Sequence, residues 1–194
     1  MKKKIIKKIN ENDNFIILPH KSPDGDCIGS SIALNEALNL LNKKSFIILE
    51  DDIPFNLKFL GIKTYTIAEF EELNIDANVV ITLDSSDEFR FDKRVKYLKE
   101  SFIINIDHHK TNTNYGDLNY IKPFSSVGEI LYNLFIDMDI EFNNKISNSL
   151  YTSISSDTGS FKYSNTSSKT LLIASKLRDQ VDFDLINTEL YQNQ

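Results

Sequence analysis

All three histidines of the chain lie close to aspartates, and these groups follow short apolar runs. The aspartates and histidines at the ends of such runs are, in chain order, His20, Asp24, Asp26, Asp84, Asp107, His108, His109 and Asp157. Carboxylates mixed with imidazoles suit Mn²⁺ better than Zn²⁺, which favours thiolate and imidazole, or Ca²⁺, which favours all-oxygen shells. The set therefore predicts a metal centre of the Mn²⁺ type.

The apolar runs indicate where these side chains meet. Residues 15–18, 79–83 and 102–106 are short and almost wholly apolar, which is typical of buried strands in a parallel sheet. The run 150–156 before Asp157 lies in a segment with helical spacing. Ligands of open α/β sheets bind outside the carboxyl ends of the strands. We therefore expect one cleft rich in metal ligands.

Each motif taken alone has an ordinary structural explanation. Residues 23–26, Pro-Asp-Gly-Asp, could be a hydrophilic turn, and Asp84 or Asp157 could cap a helix. Adjacent histidines at a strand end point in different directions, so at most one of His108 and His109 should bind a given ion. As an ordered set that includes every histidine, however, the motifs favour a functional site.

Two neighbours of Asp26 also bear on the site. Cys27 is expected to be a small buried residue and not a ligand, because hard oxygen donors surround it in sequence. Residues 29–31, Gly-Ser-Ser, are expected to open a helix whose amino end favours anions.

The elements that must position these residues alternate between strand and helix up to residue 107, after which the pattern is helical. This predicts an α/β fold with a doubly wound, mostly parallel sheet flanked by helices and a helical C-terminal half. The predicted strands are 15–18, 45–49, 78–84 and 101–107. The predicted helices are an amphipathic one with Ile5, Ile6 and Ile9 on one side, and 28–42, 67–73, 92–99, 126–137, 143–156, 167–178 and 183–191. Residues 111–122 are expected to be a loop.

Composition narrows the class of protein. The chain of 194 residues has 41% hydrophobic residues and 26% charged residues, which is typical of a soluble globular domain. No apolar stretch approaches the ~20 residues that span a bilayer. The net charge of −6 argues against binding of extended duplex DNA, and two divalent cations would offset four of these charges. The single cysteine is compatible with a reducing cytoplasm.

The order of these motifs resembles the DHH phosphoesterase superfamily over most of the chain, about residues 10 to 190. The resemblance is strongest to the bacterial nanoRNase (oligoribonuclease) and pAp-phosphatase branch, which is related to RecJ. Supporting matches are 108–112, 115–118, 125–129, 156–161 and 164–166.

The resemblance implies a role for each residue of the set. His20, Asp24 and Asp84 would hold one ion, and Asp26, Asp84, His108 and Asp157 would hold a second, with Asp84 shared. Asp107 would orient His108, and His109 would contact the substrate phosphate, so that the catalytic group is His109, Asp84 and Asp107. The implied mechanism is two-metal hydrolysis with two Mn²⁺ ions, for which Mg²⁺ or Co²⁺ could substitute.

The resemblance also implies a substrate class. The expected activity is hydrolysis of short oligoribonucleotides, together with the 3′-phosphate of adenosine 3′,5′-bisphosphate. Alternatives within the superfamily are a cyclic-dinucleotide phosphodiesterase and an inorganic pyrophosphatase, and a non-catalytic binding module is a further option. Relatives of this branch carry a second substrate-binding domain, called DHHA1, whose motifs are not found after Asp157. Residues 1–194 are therefore expected to be the catalytic domain alone, without a membrane segment. A homodimer is one possible oligomeric state.

Overall fold

The computed structural model describes residues 1–192 and contains a five-stranded, all-parallel sheet. The strands are β1 (Asn14–Leu18), β2 (Lys44–Ile47), β3 (Val79–Leu83), β4 (Phe102–Asp107) and β5 (Leu118–Ile121). Their spatial order is β2-β1-β3-β4-β5. In this order the winding direction reverses between β1 and β3, which is the switch point where doubly wound sheets bind ligands.

Helices cover both faces of the sheet, as expected for a doubly wound α/β fold. They are α1 (Lys2–Asn10), α2 (Gly25–Leu40), α3 (Ile67–Glu72), α4 (Val95–Glu100), α5 (Val127–Asp137), α6 (Asn144–Asp157), α7 (Ser168–Arg178) and α8 (Phe183–Tyr191). Two 3₁₀ segments, Phe55–Leu60 and Glu88–Arg94, lie in the connections. Among the described residues, no helix is long and apolar enough to cross a membrane.

Side-chain alternation along the strands divides the core into two parts. Ile17 and Ile81 face the larger core beneath α2, α5 and α6, whereas Ile16 and Val80 face a smaller one with Phe70 of α3 and Tyr97 of α4. Both faces of the central strands are buried, which explains why their sequences are almost continuously apolar. Ile5 and Ile9 of α1 are fully buried, and Ile6 packs at the edge of the larger core.

Three local predictions were wrong. Residues 111–122 are not all loop, because β5 pairs in parallel with β4 at the edge of the sheet; its sequence, Leu-Asn-Tyr-Ile, carries little strand signal, and long-range pairing decides its conformation. The helix expected at 28–42 begins three residues earlier, so Gly29 lies inside α2 and does not open it. The helix expected at 92–99 is α4, and residues 88–94 before it form the 3₁₀ segment, which is interrupted at Asp92.

Gly29 permits close packing of α2 on α6. A Cβ atom at this position would lie 2.5 Å from the backbone oxygen of Ser149, which cannot move without displacing α6. We expect Gly29→Ala to lower the free energy of unfolding by about 1–3 kcal/mol through overpacking, and the Tm by several degrees. Thermal denaturation followed by circular dichroism measures this. Asn39→Ala, at an exposed position of the same helix, should leave the Tm nearly unchanged, and an equal effect of both changes would contradict the packing explanation.

Candidate active site

The predicted ligands converge at the carboxyl edge of the sheet, around the switch point. His20 follows β1, Asp84 follows β3, and Asp107 ends β4. Asp26 lies in the first turn of α2, and Asp157 is the last residue of α6. Asp157 therefore reaches the site from a helix end and not from a strand.

Asp26 is the most firmly held carboxylate of the group. It is fully buried, and its two oxygens accept hydrogen bonds from the backbone N–H groups of Val127 (2.8 Å) and Gly128 (3.2 Å) at the amino end of α5. The hydroxyl of Ser153 on α6 also donates to it. Burial and the nearby carboxylates of Asp84 and Asp157 raise the pKa of Asp26 well above its usual value. A cation beside Asp26 would relieve this repulsion.

Asp84 is central to the cluster and has a strained backbone. Its φ is 56°, in the left-handed region that few residues other than glycine, Asn and Asp adopt. Although Asp84 is 2% exposed, its Oδ1 atom makes no well-aligned hydrogen bond among the described residues. Burial opposes ionisation, but His108 and His20 outweigh it and lower the pKa of Asp84 to about 2. This ionised oxygen faces imidazole nitrogens at 3.3 Å and 3.6 Å without a well-aligned hydrogen bond to either, so a metal ion between these groups would satisfy it.

His108 faces three carboxylates at once. Its Nε2 atom lies 3.3 Å from Asp84, 3.2 Å from Asp157 and 3.8 Å from Asp26. Its Nδ1 atom lies 3.3 Å from the carbonyl oxygen of Phe124, which fixes the ring orientation. Burial disfavours the charged ring, but the surrounding carboxylates raise its pKa to about 10. Burial, with the charge of Asp84, raises the pKa of Asp157 to about 7.

Asp107 holds the ring of His109, which differs from the expectation that it would orient the ring of His108. The Oδ1 atom of Asp107 lies 2.8 Å from Nδ1 of His109 and accepts the backbone N–H of His108 at 2.8 Å. Its other oxygen accepts from the side-chain amide of Asn112. The Asp107 hydrogen bond raises the pKa of His109. His109 nevertheless lies near the ligand cluster, because its Nδ1 atom is also 3.6 Å from Oδ1 of Asp84. Its assignment as a group that contacts substrate and not metal stays a prediction.

His20 joins the group from the β1 side. Its Nε2 atom lies 3.5 Å from Asp84, and its Nδ1 atom lies 2.7 Å from the carbonyl oxygen of Lys21 and 3.0 Å from the guanidinium of Arg90. Cys27 accepts the backbone N–H of His20 through sulfur. Burial raises the pKa of the Cys27 thiol well above its usual value, which supports its interpretation as a small buried residue. Arg90 was not foreseen from the sequence, where it is one cation among many.

Asp24 stands apart from the rest of the set. It is exposed and caps α2 by accepting the backbone N–H of Cys27 at 3.0 Å. Among the described residues, groups whose ligand atoms all lie within 4.8 Å of one another are Asp84–Asp107–His108–His109, His20–Cys27–Asp84 and Asp26–His108–Asp157. Asp24 belongs to none of them, although its negative charge contributes to the raised pKa of Asp157. Its assignment as a ligand stays a prediction.

These protonation states make metal binding dependent on pH. With a pKa of about 10, His108 carries a proton near pH 8, and an ion can bind its Nε2 only after that proton leaves. We expect binding of Mn²⁺ to release protons near pH 8, one of them from His108, and the apparent affinity to rise with pH below about 10. Calorimetry in buffers of different ionisation enthalpy measures the release. His108→Ala should reduce it, and Mn²⁺ binding without proton release would contradict the assignment.

Fold and site together define an α/β protein with a carboxylate–imidazole centre at the switch point of a parallel sheet. Residues 14–155 match the DHH family, N-terminal domain. The chain belongs to the DHH family.

Within the DHH family, the chain is similar to two proteins named NrnA and to a solved structure. The chain is 32% identical over 183 residues to the probable bifunctional oligoribonuclease and PAP phosphatase NrnA of Streptococcus mutans, covering 94% of this chain and 57% of that protein. It is 35% identical over 162 residues to the Thermus thermophilus NrnA, covering 83% and 48%. The crystal structure of an exopolyphosphatase-related protein from Bacteroides fragilis matches 100% of this chain and 60% of its own, with a TM-score of 0.90 and 27% identity. The chain thus spans about half to three fifths of the length of these relatives.

Proposed function

We propose that the chain is the catalytic domain of a metal-dependent phosphoesterase that hydrolyses short oligoribonucleotides and the 3′-phosphate of adenosine 3′,5′-bisphosphate. The cluster around Asp84 supports this assignment, because Asp84 is a buried carboxylate with imidazoles on both sides and with one oxygen that makes no well-aligned hydrogen bond. The names of the NrnA relatives supply the substrate class.

The donor set fits a pair of Mn²⁺-class ions. His20, Asp24 and Asp84 would hold one ion, and Asp26, Asp84, His108 and Asp157 the other, because these groups supply only carboxylate and imidazole atoms. When bound, such ions lower the pKa of a water nucleophile and neutralise charge on a phosphoryl group. Asp84 is placed between His20 and His108, with one oxygen toward each, which suits a shared ligand.

His109 is proposed to act on the substrate directly. Its Nδ1 atom is held by Asp107, and its side chain is 39% exposed, so Nε2 is left to donate to a phosphate oxygen. The Asp107 carboxylate favours the protonated ring. A fixed positive donor here stabilises the negative charge that grows on the phosphoryl group in the transition state.

A substrate panel with Mn²⁺ tests the proposal. Di- to pentaribonucleotides, adenosine 3′,5′-bisphosphate, pyrophosphate and cyclic di-AMP are incubated with the protein, and the products are resolved by chromatography. We expect hydrolysis of the oligoribonucleotides and the bisphosphate to exceed that of the other two. Preferential hydrolysis of pyrophosphate or cyclic di-AMP would reassign the substrate class. If none of the substrates is hydrolysed, a non-catalytic binding module is favoured.

A further inference from the structure

The 3₁₀ segment after Asp84 presents an exposed aromatic ring beside the candidate site. Phe89 is 85% exposed, whereas Phe91, two residues on, is fully buried and packs edge-on against Tyr115. Among the described residues, Phe89 makes no aromatic ring contact. Single exposed apolar side chains are common on proteins, so the setting of Phe89 decides whether it has a function.

The backbone that carries Phe89 is firmly held. Asp87 accepts the backbone N–H of Phe89 at 2.9 Å, and the hydroxyl of Ser85 donates to the carbonyl oxygen of Asp87 at 2.9 Å. Further on, the buried Arg94 donates to the carbonyl oxygen of Pro19 at 2.7 Å. The ring is therefore exposed on a turn that is fixed at both ends. Because the turn is already ordered, it loses less conformational entropy when a planar ligand binds to the ring.

The same turn is joined to the metal-ligand loop after β1. The backbone N–H of Lys21 donates to the carbonyl oxygen of Arg90 at 2.8 Å, and the guanidinium of Arg90 reaches Nδ1 of His20 at 3.0 Å. Lys21 and Lys93 line an open cavity of about 450 Å³ together with Glu50 and Asp92. Lys21 is paired with Asp92 at 3.0 Å, and the acidic residues Asp87 and Glu88 precede Phe89. Arg90 is therefore the cation that links this turn to the candidate site.

An exposed aromatic ring next to an arginine is one arrangement by which proteins bind single-stranded nucleic acid. Bases stack on aromatic rings while Lys and Arg contact the phosphates, and such stacking tolerates any base because each has a π-face. We propose that Phe89 stacks on a nucleobase adjacent to the scissile phosphate and that Arg90 contacts the nucleotide's phosphate. This inference rests on the proposed function. It places a nucleotide-binding contact within the DHH domain itself.

Kinetics on matched substrates test the role of Phe89. Phe89→Ala should raise KM for a diribonucleotide about tenfold and change the hydrolysis of the same dimer with abasic riboses little. Phe89→Trp should retain the wild-type KM, since it supplies a ring. Phe55→Ala, which removes another exposed ring (72%) in the 3₁₀ segment that contacts α8, should leave KM unchanged.

Binding without turnover gives a second measurement. A dinucleotide that contains 2-aminopurine, bound in the presence of Ca²⁺, should lose fluorescence on wild-type protein and on Phe89→Trp but much less on Phe89→Ala. If Phe89→Ala matches the wild type in both KM and fluorescence, or affects base-bearing and abasic dimers equally, the stacking role is wrong. If the wild type itself hydrolyses no oligonucleotide with Mn²⁺, the proposed function fails and this inference with it.

Discussion

Replacing Asp84 with Asn should abolish turnover and remove both Mn²⁺ sites together. Asp84 lies between His20 and His108, at 3.5 Å and 3.3 Å from their Nε2 atoms, so one carboxylate would serve both ions. Loss of a single donor that stabilises transition-state charge costs about 10²–10³ in rate. Loss of a shared ligand should therefore cost at least about 10³-fold in kcat. Turnover of a diribonucleotide and calorimetric titration with Mn²⁺ measure the two effects.

Asn is the better replacement because it also tolerates the left-handed backbone at this position, where φ is 56°. Asp76→Asn is a matched control, since it removes an exposed carboxylate before the opposite end of β3. That variant should bind and turn over like the wild type. Two intact Mn²⁺ sites in Asp84→Asn would contradict the shared-ligand assignment.

Substitution of the two adjacent histidines should affect different properties, Mn²⁺ affinity for His108 and kcat alone for His109. His108→Ala removes a group that contacts Asp26, Asp84 and Asp157, so Mn²⁺ affinity and activity should fall together. His109→Ala removes a ring held by Asp107, and we expect nearly unchanged Mn²⁺ affinity with a loss of about 10²–10³ in kcat. Turnover measured across a range of Mn²⁺ concentrations for both variants separates these effects.

Saturating Mn²⁺ should restore part of the activity of His108→Ala and none of that of His109→Ala. Asp107→Asn is a further comparison, because it weakens the hold on His109 while leaving the ring in place. It should lower kcat less than His109→Ala does. Rescue of His109→Ala by excess Mn²⁺ would show that His109 is itself a ligand.

Much of this arrangement follows from local sequence. The continuous apolar runs before His20, Asp84 and Asp107 predict central parallel strands, because both faces of such strands are buried. Once these strands are parallel, their carboxyl ends share one edge, and the residues that follow them must approach one another. The doubly wound fold was therefore predictable and is confirmed. The approach of His20, Asp84 and His108 to one another was predictable for the same reason, and both imidazoles lie within 3.5 Å of Asp84.

The rest depends on contacts between residues far apart in the chain. β5 has a mixed sequence and is a strand because β4 offers it an edge to pair with. The anchoring of Asp26 by Val127 and Gly128 joins residues about a hundred positions apart, and no local pattern encodes it. The partner of Asp107 is likewise set by where the chain turns after β4, which places the ring of His109, and not that of His108, beside the carboxylate.

Anomalous diffraction from crystals equilibrated with Mn²⁺ would locate the ions of a two-ion centre that shares Asp84. We expect two anomalous peaks, both within ligand distance of the Asp84 carboxylate, one next to His20 and the other next to His108 and Asp157. A single peak, or two peaks of which only one contacts Asp84, would contradict it.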